Sequence, residues 1–326
     1  MPGALEDEAV EAVTQGIDGV VLNASAIHAE GALAEEEDEE EKALMTKDMR
    51  KLFLFGATLE DTDKSGNPIV QVYENGYFRS SPSPYYGHNN FFCIGETLDY
   101  PEDLFHQLFI GFLQSRKSFC SVWLRPDQTK IAKLFTSYGF AKKDEYMIMT
   151  AKLSPDATTT DGLENLEDHK KFGIPSSTGT KLICKKINAY SYFPYAAHTL
   201  KVPREHLEQF SADITTNLGI DHQHFFMAEY RPKGTSGATS TASCMIIAYP
   251  DEQVIALHFV ARNTQDSKED ITGSLVRYAL NQARIQKYTK VIVLAHDRDH
   301  SMYTKLGFTA GDVYTLYTSP HAVITH

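Results

Sequence analysis

Apolar and polar residues follow two different periods along this chain, and the two periods predict its secondary structure. Short stretches alternate between apolar and polar side chains, which predicts strands with one buried face. Longer stretches repeat their apolar positions every three or four residues, which predicts helices with one buried face. The clearest helical face consists of five apolar side chains: Leu104, Phe105, Leu108, Phe109 and Phe112.

The two patterns predict eleven strands and five helices. The predicted strands are Lys51–Ala57, Pro68–Ser80, Asn90–Gly95, Ser118–Leu124, Glu145–Leu153, Lys181–Lys186, Phe225–Tyr230, Ala242–Tyr249, Val254–Ala261, Lys290–Ala295 and Asp312–Thr318. The predicted helices are Glu102–Arg116, Asp127–Tyr138, Glu205–Leu218, Ile271–Gln286 and Arg298–Leu306.

Two of these helices end in nearly the same way. Residues 135–140 read Phe-Thr-Ser-Tyr-Gly-Phe, and residues 303–308 read Tyr-Thr-Lys-Leu-Gly-Phe. Each ending follows an apolar strand and precedes another strand, so the chain is predicted to contain one module twice. We place the first module at residues 47–153 and the second at 180–320, with a linker rich in Ser, Thr, Asp and Gly at 154–179.

The order of the elements indicates the fold class. In the second module antiparallel strands come first and strands alternate with helices later, which is typical of an α+β or α/β arrangement. We therefore expect each module to form a mixed, largely antiparallel sheet with helices on both faces.

Charge is concentrated at one end of the chain. The sequence carries a formal net charge of -12, and residues 1–46 hold 13 acidic groups against one basic group. The run Glu35–Glu41 repels itself and is predicted to be disordered. It is either a solvated tail or a docking segment for a basic partner. The other 280 residues carry 30 acidic and 30 basic groups, which argues against general nucleic-acid binding.

The cysteines and the apolar runs bear on the compartment. The four cysteines are far apart and lie in apolar, strand-like runs, which predicts reduced and buried thiols. We find neither a signal-peptide pattern nor an apolar run near the roughly 18 residues that would span a membrane. The expectation is a protein of the cytosol or nucleus.

The pair His222 and His224 has no further ligand at a suitable spacing, so no metal is assigned.

The second module, with its short final helix and its Tyr-x-x-x-Gly-Phe ending, resembles the GNAT superfamily of N-acetyltransferases. The resemblance covers most of residues 179–318 and, more weakly, residues 48–153. It implies that the sheet splays after its fourth strand and that acyl-coenzyme A lies in the opening. The pyrophosphate would lie on backbone amides at the start of the following helix, where the helix dipole favours an anion.

The resemblance also implies which residues hold acyl-coenzyme A. The cofactor-binding residues that it implies are Phe259, Val260, Ala261, Lys268, Thr272, Gly273, Ser274 and His296. Of the two glycines in the family's phosphate loop, this chain keeps only Gly273, and Ile271 stands at the place of the other. The corresponding loop of the first module, residues 95–103, has four carboxylates and no basic residue, so we expect it to be structural.

Two side chains are candidates for proton transfer. Tyr303 occupies the position at which many members of the family have a tyrosine that protonates the leaving thiolate, although it could simply pack the helix onto the sheet. The matching residue of the first module is Phe135, which has no proton to give. His258 would face the opening together with Val260 and relay a proton with a pKa near neutrality, or else it is a core histidine.

The acceptor side is less defined by the sequence. Glu229 and Tyr230 could line the acceptor pocket, and because they are adjacent on a strand, at most one of them should do so.

The sequence thus predicts an N-acyltransferase, most simply an N-acetyltransferase, that uses acetyl-coenzyme A or another acyl-coenzyme A. Its acceptor would be a small-molecule or peptide amine, and the first module would be degenerate. The alternative is a non-catalytic scaffold or regulator with the same fold.

Overall fold

The strands of both halves of the chain join in one sheet. The computed structural model describes residues 48–53, 62, 66, 68–73, 76–80, 90–93, 120–154, 172–175, 181–199, 204, 207–216, 222–231, 240–264 and 271–319. The strands are β1 (Val70–Tyr73), β2 (Gly76–Arg79), β3 (Asn90–Cys93), β4 (Ser121–Leu124), β5 (Ala141–Lys152), β6 (Phe172–Pro175), β7 (Lys181–Ile187), β8 (Gln223–Arg231), β9 (Ser240–Tyr249), β10 (Val254–Thr264), β11 (Lys290–His296) and β12 (Thr309–Thr318). The helices are α1 (residues 48–53), α2 (Thr129–Ser137), α3 (Ala189–Thr199), α4 (Leu207–Thr216), α5 (Ile271–Ile285) and α6 (His300–Lys305).

The twelve strands follow the order β1-β2-β3-β4-β12-β5-β11-β10-β9-β8-β7-β6. The pairs β3–β4 and β10–β11 are parallel, and the other pairs are antiparallel. A mixed, largely antiparallel sheet with helices is the fold class that the sequence predicts, so that prediction is confirmed.

The last strand of each half lies in the sheet of the other half. β5, from the first half, pairs with β11, and β12, from the second half, pairs with β4. β5 and β12 also pair with each other at the centre, where Tyr146 is the register partner of Tyr314. The strand pattern had suggested that each module closes its own sheet. The structure instead joins the halves by exchanging these two strands, and residues 50–326 form one compact unit.

The repeated helix endings have the same conformation. Phe140 N–H donates to the carbonyl of Phe135 at 3.0 Å, and Phe308 N–H donates to that of Tyr303 at 3.1 Å. The glycine before each phenylalanine has a positive φ, 88° in the first half and 87° in the second. Such a left-handed residue at a helix end favours glycine, because a Cβ would be strained there. The two helix endings therefore share a backbone conformation as well as a sequence pattern.

Apolar clusters cover both faces of the second half of the sheet. On one face α5 and α6 pack on alternate residues of β7 to β11 and β5, and Leu257 and Val293 belong to this cluster. On the other face α3 and α4 pack against Phe225, Met245 and Ile247. The alternation of these positions along each strand is the physical reason for the two faces.

The sequence patterns misassign several segments. Residues 51–53, predicted as the start of a strand, are helical and all three are buried, and alternation on a strand cannot bury three consecutive residues on one face. Pro68–Ser80 forms the two strands β1 and β2, not one. The predicted linker contains β6, which pairs with β7. No element was predicted between Lys186 and Glu205, where the structure forms α3 with Pro194 inside the helix.

Other expectations concern residues outside the described ranges. These are the acidic segment 1–46, the helix Glu102–Arg116 and most of the linker 154–179. Within the described ranges, no helix is long and apolar enough to cross a membrane.

Candidate functional site at the splayed strands

The two parallel strands of the second half separate part of the way along. β10 and β11 are in register from Val254 opposite Lys290 to Leu257 opposite Val293, and their pairing ends there. Each strand continues beyond that point, and each keeps its partner on the other side. β10 remains paired with β9, and β11 remains paired with β5 up to His296. The sheet therefore opens between β10 and β11 beyond Leu257 and Val293.

A β-bulge in β10 lies at the start of this opening. The register with β9 shifts between His258 and Ala261, and Phe259 has a positive φ of 49°. The bulge changes which face the side chains occupy, because it adds a residue to the alternation. Val260 packs on the same face as Leu257, whereas Phe259 packs with the cluster under α3 and α4. The expectation that Val260 shares a face with His258 is therefore wrong.

The first turn of α5 borders the same region. It contains no acidic residue, and its backbone N–H groups have no acceptor within the helix. Thr272 is only 7% exposed, and its Oγ1 has no hydrogen-bond partner among the residues that the structure describes. The side chain of Ile271, which stands at the place of the missing glycine, packs into the core beside Leu275. This turn fits an anion such as a phosphate. Lys268 lies outside the described residues.

Tyr303, on α6, packs in the core cluster that also contains Ile271 and Cys244. It is 2% exposed, and its ring contacts that of Phe308 edge-on with 5.2 Å between centroids. Burial, with smaller effects from Asp299 and Cys244, raises the pKa of Tyr303 well above its usual value. The hydroxyl is therefore protonated at every physiological pH, as a proton donor must be.

The matching residue of the first half packs in the same way. Phe135 is also 2% exposed, and its ring contacts that of Phe140 edge-on at the same 5.2 Å. The aromatic ring at this position therefore has a packing role in both halves. What the second half adds is the hydroxyl group.

His296 stands at the end of β11, on the opening. Its Nε2 lies 3.3 Å from Asp144 Oδ1, and its Nδ1 accepts a hydrogen bond from the Arg298 backbone N–H at 3.2 Å. Its ring contacts that of Tyr146 at 5.2 Å between centroids. Asp144 and Tyr146 belong to the first half and were not predicted as site residues. The sequence contains a hint of them, because an Asp and a Tyr follow both Gly-Phe endings at the same distances, again as Asp312 and Tyr314.

His258 differs from the expectation. It is 6% exposed, and burial lowers its pKa to about 3, against a smaller opposing effect of a hydrogen bond with the Lys51 backbone. A pKa near neutrality was predicted for this side chain, and that prediction is wrong because the ring is buried. At neutral pH the ring is uncharged and is a weak proton acceptor.

Polar side chains lie near the opening on the face that α3 and α4 cover. Lys185 donates to Glu229 at 2.7 Å, and both side chains are largely buried. Ser243, opposite Ala261, is fully buried, and its Oγ finds no hydrogen-bond partner within the described ranges. Tyr230 instead packs on the other face. The two adjacent residues thus point to opposite faces, as alternation requires, and only Glu229 lies on the polar side.

In the first half the parallel pair β3 and β4 corresponds to β10 and β11, and a glutamine side chain lies across the ends of these two strands. Gln128 is 2% exposed, and it bridges the ends of β3 and β4. Its Nε2 donates to the Cys93 carbonyl at 3.4 Å, and its Oε1 accepts from the Arg125 backbone N–H at 2.7 Å. A side chain thus occupies the place where the second half is open.

Among the described residues there is no group of three or more His, Cys, Asp or Glu that could hold a metal ion.

Comparison with known proteins relates this fold to solved structures. No family model matches the chain, and no curated protein matches it. A functionally unknown conserved protein from Staphylococcus epidermidis is 11% identical with a TM-score of 0.50, and the match covers 83% of this chain and 98% of that one. This similarity shows a shared fold.

Two further solved structures are similar to a smaller degree. A GCN5-related N-acetyltransferase from Sphaerobacter thermophilus is 10% identical with a TM-score of 0.48, and the match covers 78% of this chain and 77% of that one. A tandem GNAT protein from the clavulanic acid biosynthesis pathway is 10% identical with a TM-score of 0.46, and the match covers 78% and 80% of the two chains. GNAT proteins are therefore among the solved structures that this chain resembles.

Proposed function

We propose that this chain is an acyl-coenzyme A-dependent N-acyltransferase, most simply an N-acetyltransferase, whose site lies in the second half. The observation that carries the proposal is the opening between β10 and β11, with a bulge at its start and the first turn of α5 beside it. A linear thioester with a pyrophosphate needs these two features together: exposed backbone groups along a strand and an anion site at a helix start.

The residues that would hold acyl-coenzyme A divide between the strand and the helix. Backbone groups of residues 259–261 would bind the pantetheine arm on the side of β10 that faces the opening, since the pairing of β10 with β11 ends at Leu257. The first turn of α5 would bind the pyrophosphate through the amides of Thr272, Gly273 and Ser274. Lys268 would add a positive charge, and His296 would border the slot from β11. Bound there, the thioester supplies the acyl group for transfer to an amine.

Tyr303 would donate the proton that the leaving thiolate needs. Its position on α6, at the place of the family's tyrosine, supports this role, and its hydroxyl is protonated at neutral pH as a general acid must be, although burial raises its pKa and so makes it a weaker acid than an exposed tyrosine. His258, which was the candidate base, is unsuited to accept a proton at that pH because its pKa is lowered to about 3. We propose no protein base in its place: the amine attacks the thioester carbon in its neutral form, the C–S bond breaks, and the proton that the nitrogen loses passes to water, from which Tyr303 regains the proton that it gives to the thiolate.

The acceptor would be a small-molecule or peptide amine that approaches from the face with Glu229. A largely buried carboxylate and the fully buried Ser243 hydroxyl offer hydrogen-bond acceptors to such a group. The first half, with Gln128 across its gap and Phe135 in place of the tyrosine, would not transfer acyl groups itself. Residues 1–46 could contact a basic partner, and the cytosol or nucleus remains the proposed compartment.

A non-catalytic scaffold is the second candidate. The observation that favours it is the equal burial of Tyr303 and Phe135, because a residue that only packs would look the same in both halves. The two candidates differ in what acetyl-coenzyme A does to the protein. A ligand at 100 times its dissociation constant stabilises the folded state by roughly 2.7 kcal/mol.

The experiment combines thermal denaturation with a turnover assay. Acetyl-coenzyme A should raise the melting temperature, and coenzyme A should be released in the presence of a suitable amine from a panel. The variant Tyr303→Phe should keep the stability and the binding but lose most of the turnover. Phe135 shows that phenylalanine fits this place, and Tyr138→Phe, in the equivalent helix ending of the first half, is the matched control. No shift with millimolar acetyl-coenzyme A would refute the proposed enzyme.

A further inference from the structure

β5 carries two side chains of the first half to the open end of β11. Tyr146 is the register partner of His296, and their rings meet edge-on with 5.2 Å between centroids. Asp144, two residues earlier on the same strand, places its Oδ1 3.3 Å from His296 Nε2. Because β5 lies beside β11 only through the strand exchange, one wall of the opening in the second half is built by the first half.

One hydrogen bond and one charged neighbour of His296 indicate which of its nitrogens carries the proton. The Arg298 backbone N–H can only donate, so Nδ1 accepts from it and holds a lone pair. In the neutral ring the proton is then on Nε2, which faces the carboxylate of Asp144. The hydrogen bond from Arg298, the 3.3 Å polar contact with Asp144 and the edge contact with Tyr146 together hold the plane of the ring.

Both ring nitrogens of His296 face groups of the protein, Nδ1 the Arg298 N–H and Nε2 the Asp144 carboxylate. The ring would therefore contact a ligand with its surface and not through a hydrogen bond. The side chains of this pair remain partly exposed, 22% for His296 and 35% for Asp144, so the ring lies at a boundary with solvent and not in the core. A side chain in such a place stays in one orientation only if neighbouring groups hold it there.

We propose that Asp144 is a positioning residue for the acyl-coenzyme A site of the second half. It holds His296 in the Nε2-protonated form along the opening, so that the ring forms a preset wall for the ligand. This inference rests on the proposed function, because the slot that His296 borders is the proposed acyl-coenzyme A slot. The first half therefore contributes a residue to the site although its own gap is closed.

The internal repeat provides a matched control. Asp312 follows Phe308 at the distance at which Asp144 follows Phe140, four residues in each case. It lies on β12, near Arg125 at the closed gap of the first half. A substitution at Asp312 therefore makes the same chemical change, in an equivalent place in the same sheet, without touching His296.

The test compares Asp144→Ala, Asp144→Asn and Asp312→Ala in the full chain. Long-range ¹⁵N NMR of the histidine rings reports which nitrogen of His296 carries the proton, and steady-state kinetics give KM and kcat with acetyl-coenzyme A. Asp144→Ala should remove the preference of His296 for the proton on Nε2 and raise KM by about threefold, the size expected when a partly exposed polar pair is lost, with kcat changed less than about twofold. Asp144→Asn keeps an acceptor oxygen and should recover part of the loss. Asp312→Ala should match the wild type.

Several results would overturn the proposal. An unchanged His296 signal in Asp144→Ala would show that the carboxylate does not fix the ring. A changed signal with an unchanged KM would show that the ring position does not matter for the ligand. An equal rise in KM for Asp312→Ala would point to a general effect on the sheet. If the wild type does not bind acetyl-coenzyme A at all, the proposed function fails together with this role, whereas the NMR signal still shows whether Asp144 holds His296.

Discussion

Acid should destabilise this protein through His258, a histidine that the fold keeps uncharged. Burial lowers the pKa of His258 to about 3 from an ordinary value of 6.5. The unfolded chain therefore binds a proton at this residue at a pH where the folded chain does not. The contribution of His258 to the free energy of unfolding is fully present above pH 6.5, decreases as the pH drops below 6.5, and stops decreasing near pH 3.

The two pKa values set the size of the effect. Each unit of pKa difference corresponds to about 1.4 kcal/mol, so the full loss is about 5 kcal/mol and the loss at pH 5 is about 2 kcal/mol. The second figure is a large part of the stability of an ordinary domain, which is about 5–15 kcal/mol. A measurable weakening of the fold should therefore appear at mildly acidic pH.

The assay is urea denaturation at pH 7.5 and pH 5.0, followed by the fluorescence of Trp123. This residue is the only tryptophan of the chain and is buried. The variant His258→Gln has an uncharged side chain at both pH values, so it should lose about 2 kcal/mol less than the wild type on acidification. His224, whose pKa is lowered to about 4, is present in both proteins, so its contribution cancels in the difference. His222→Asn, at an exposed position, is the control and should behave like the wild type.

The reasoning is refuted if His258→Gln and the wild type lose equal stability between these pH values. Direct titration of His258 by NMR gives an independent check. A ring that gains its proton between pH 6 and 7 would mean that it is accessible to water, and it would return His258 to the list of candidate bases.

Three further predictions concern other positions. Gly307→Ala should cost about 1–2 kcal/mol, seen as a lower urea midpoint, because the residue has a φ of 87° while an added Cβ would meet no atom within 4 Å. Gln128→Ala should cost about 1–3 kcal/mol by the same measurement, since the backbone groups that it bridges at the ends of β3 and β4 lose a buried partner, and a midpoint equal to that of the wild type would contradict this. Lys185→Met should also lower the midpoint, because it removes the ammonium that contacts Glu229 at 2.7 Å, and the double variant with Glu229→Gln should recover most of the loss.

The sequence predicted the features that depend on local pattern. The positions of β7 to β11 and of α5 follow from the spacing of apolar residues, and the structure places each within a few residues of its prediction. The helix endings at Gly139 and Gly307 were found because a left-handed residue at a helix end nearly requires glycine. Tyr303 and Phe135 were found as a matched pair for the same reason, since each precedes its glycine by four residues.

Features that depend on distant partners were not predicted. The pattern of β5 shows that it is a strand but not which strand lies beside it, so Asp144 and Tyr146 could not be placed near His296. The pKa of His258 depends on its burial in the folded protein, which the alternation along one strand does not reveal, and the Lys51 backbone that contacts it lies about 200 residues earlier. A β-bulge leaves little trace in a pattern of apolar positions, so the face of Val260 was assigned by simple alternation.

The exchanged strands also set the order in which the molecule can be completed during synthesis. Cys120, just before β4, and Ser319, just after β12, exchange backbone and side-chain hydrogen bonds although they are 199 residues apart. While the ribosome is still making the second half, β4 lacks its neighbour and presents an open edge, which is prone to pair with other chains. β5 meets the same difficulty until β11 has been made. The halves should therefore become stable together, late in synthesis, and a chain that stops before β12 should be a substrate for chaperones and proteases.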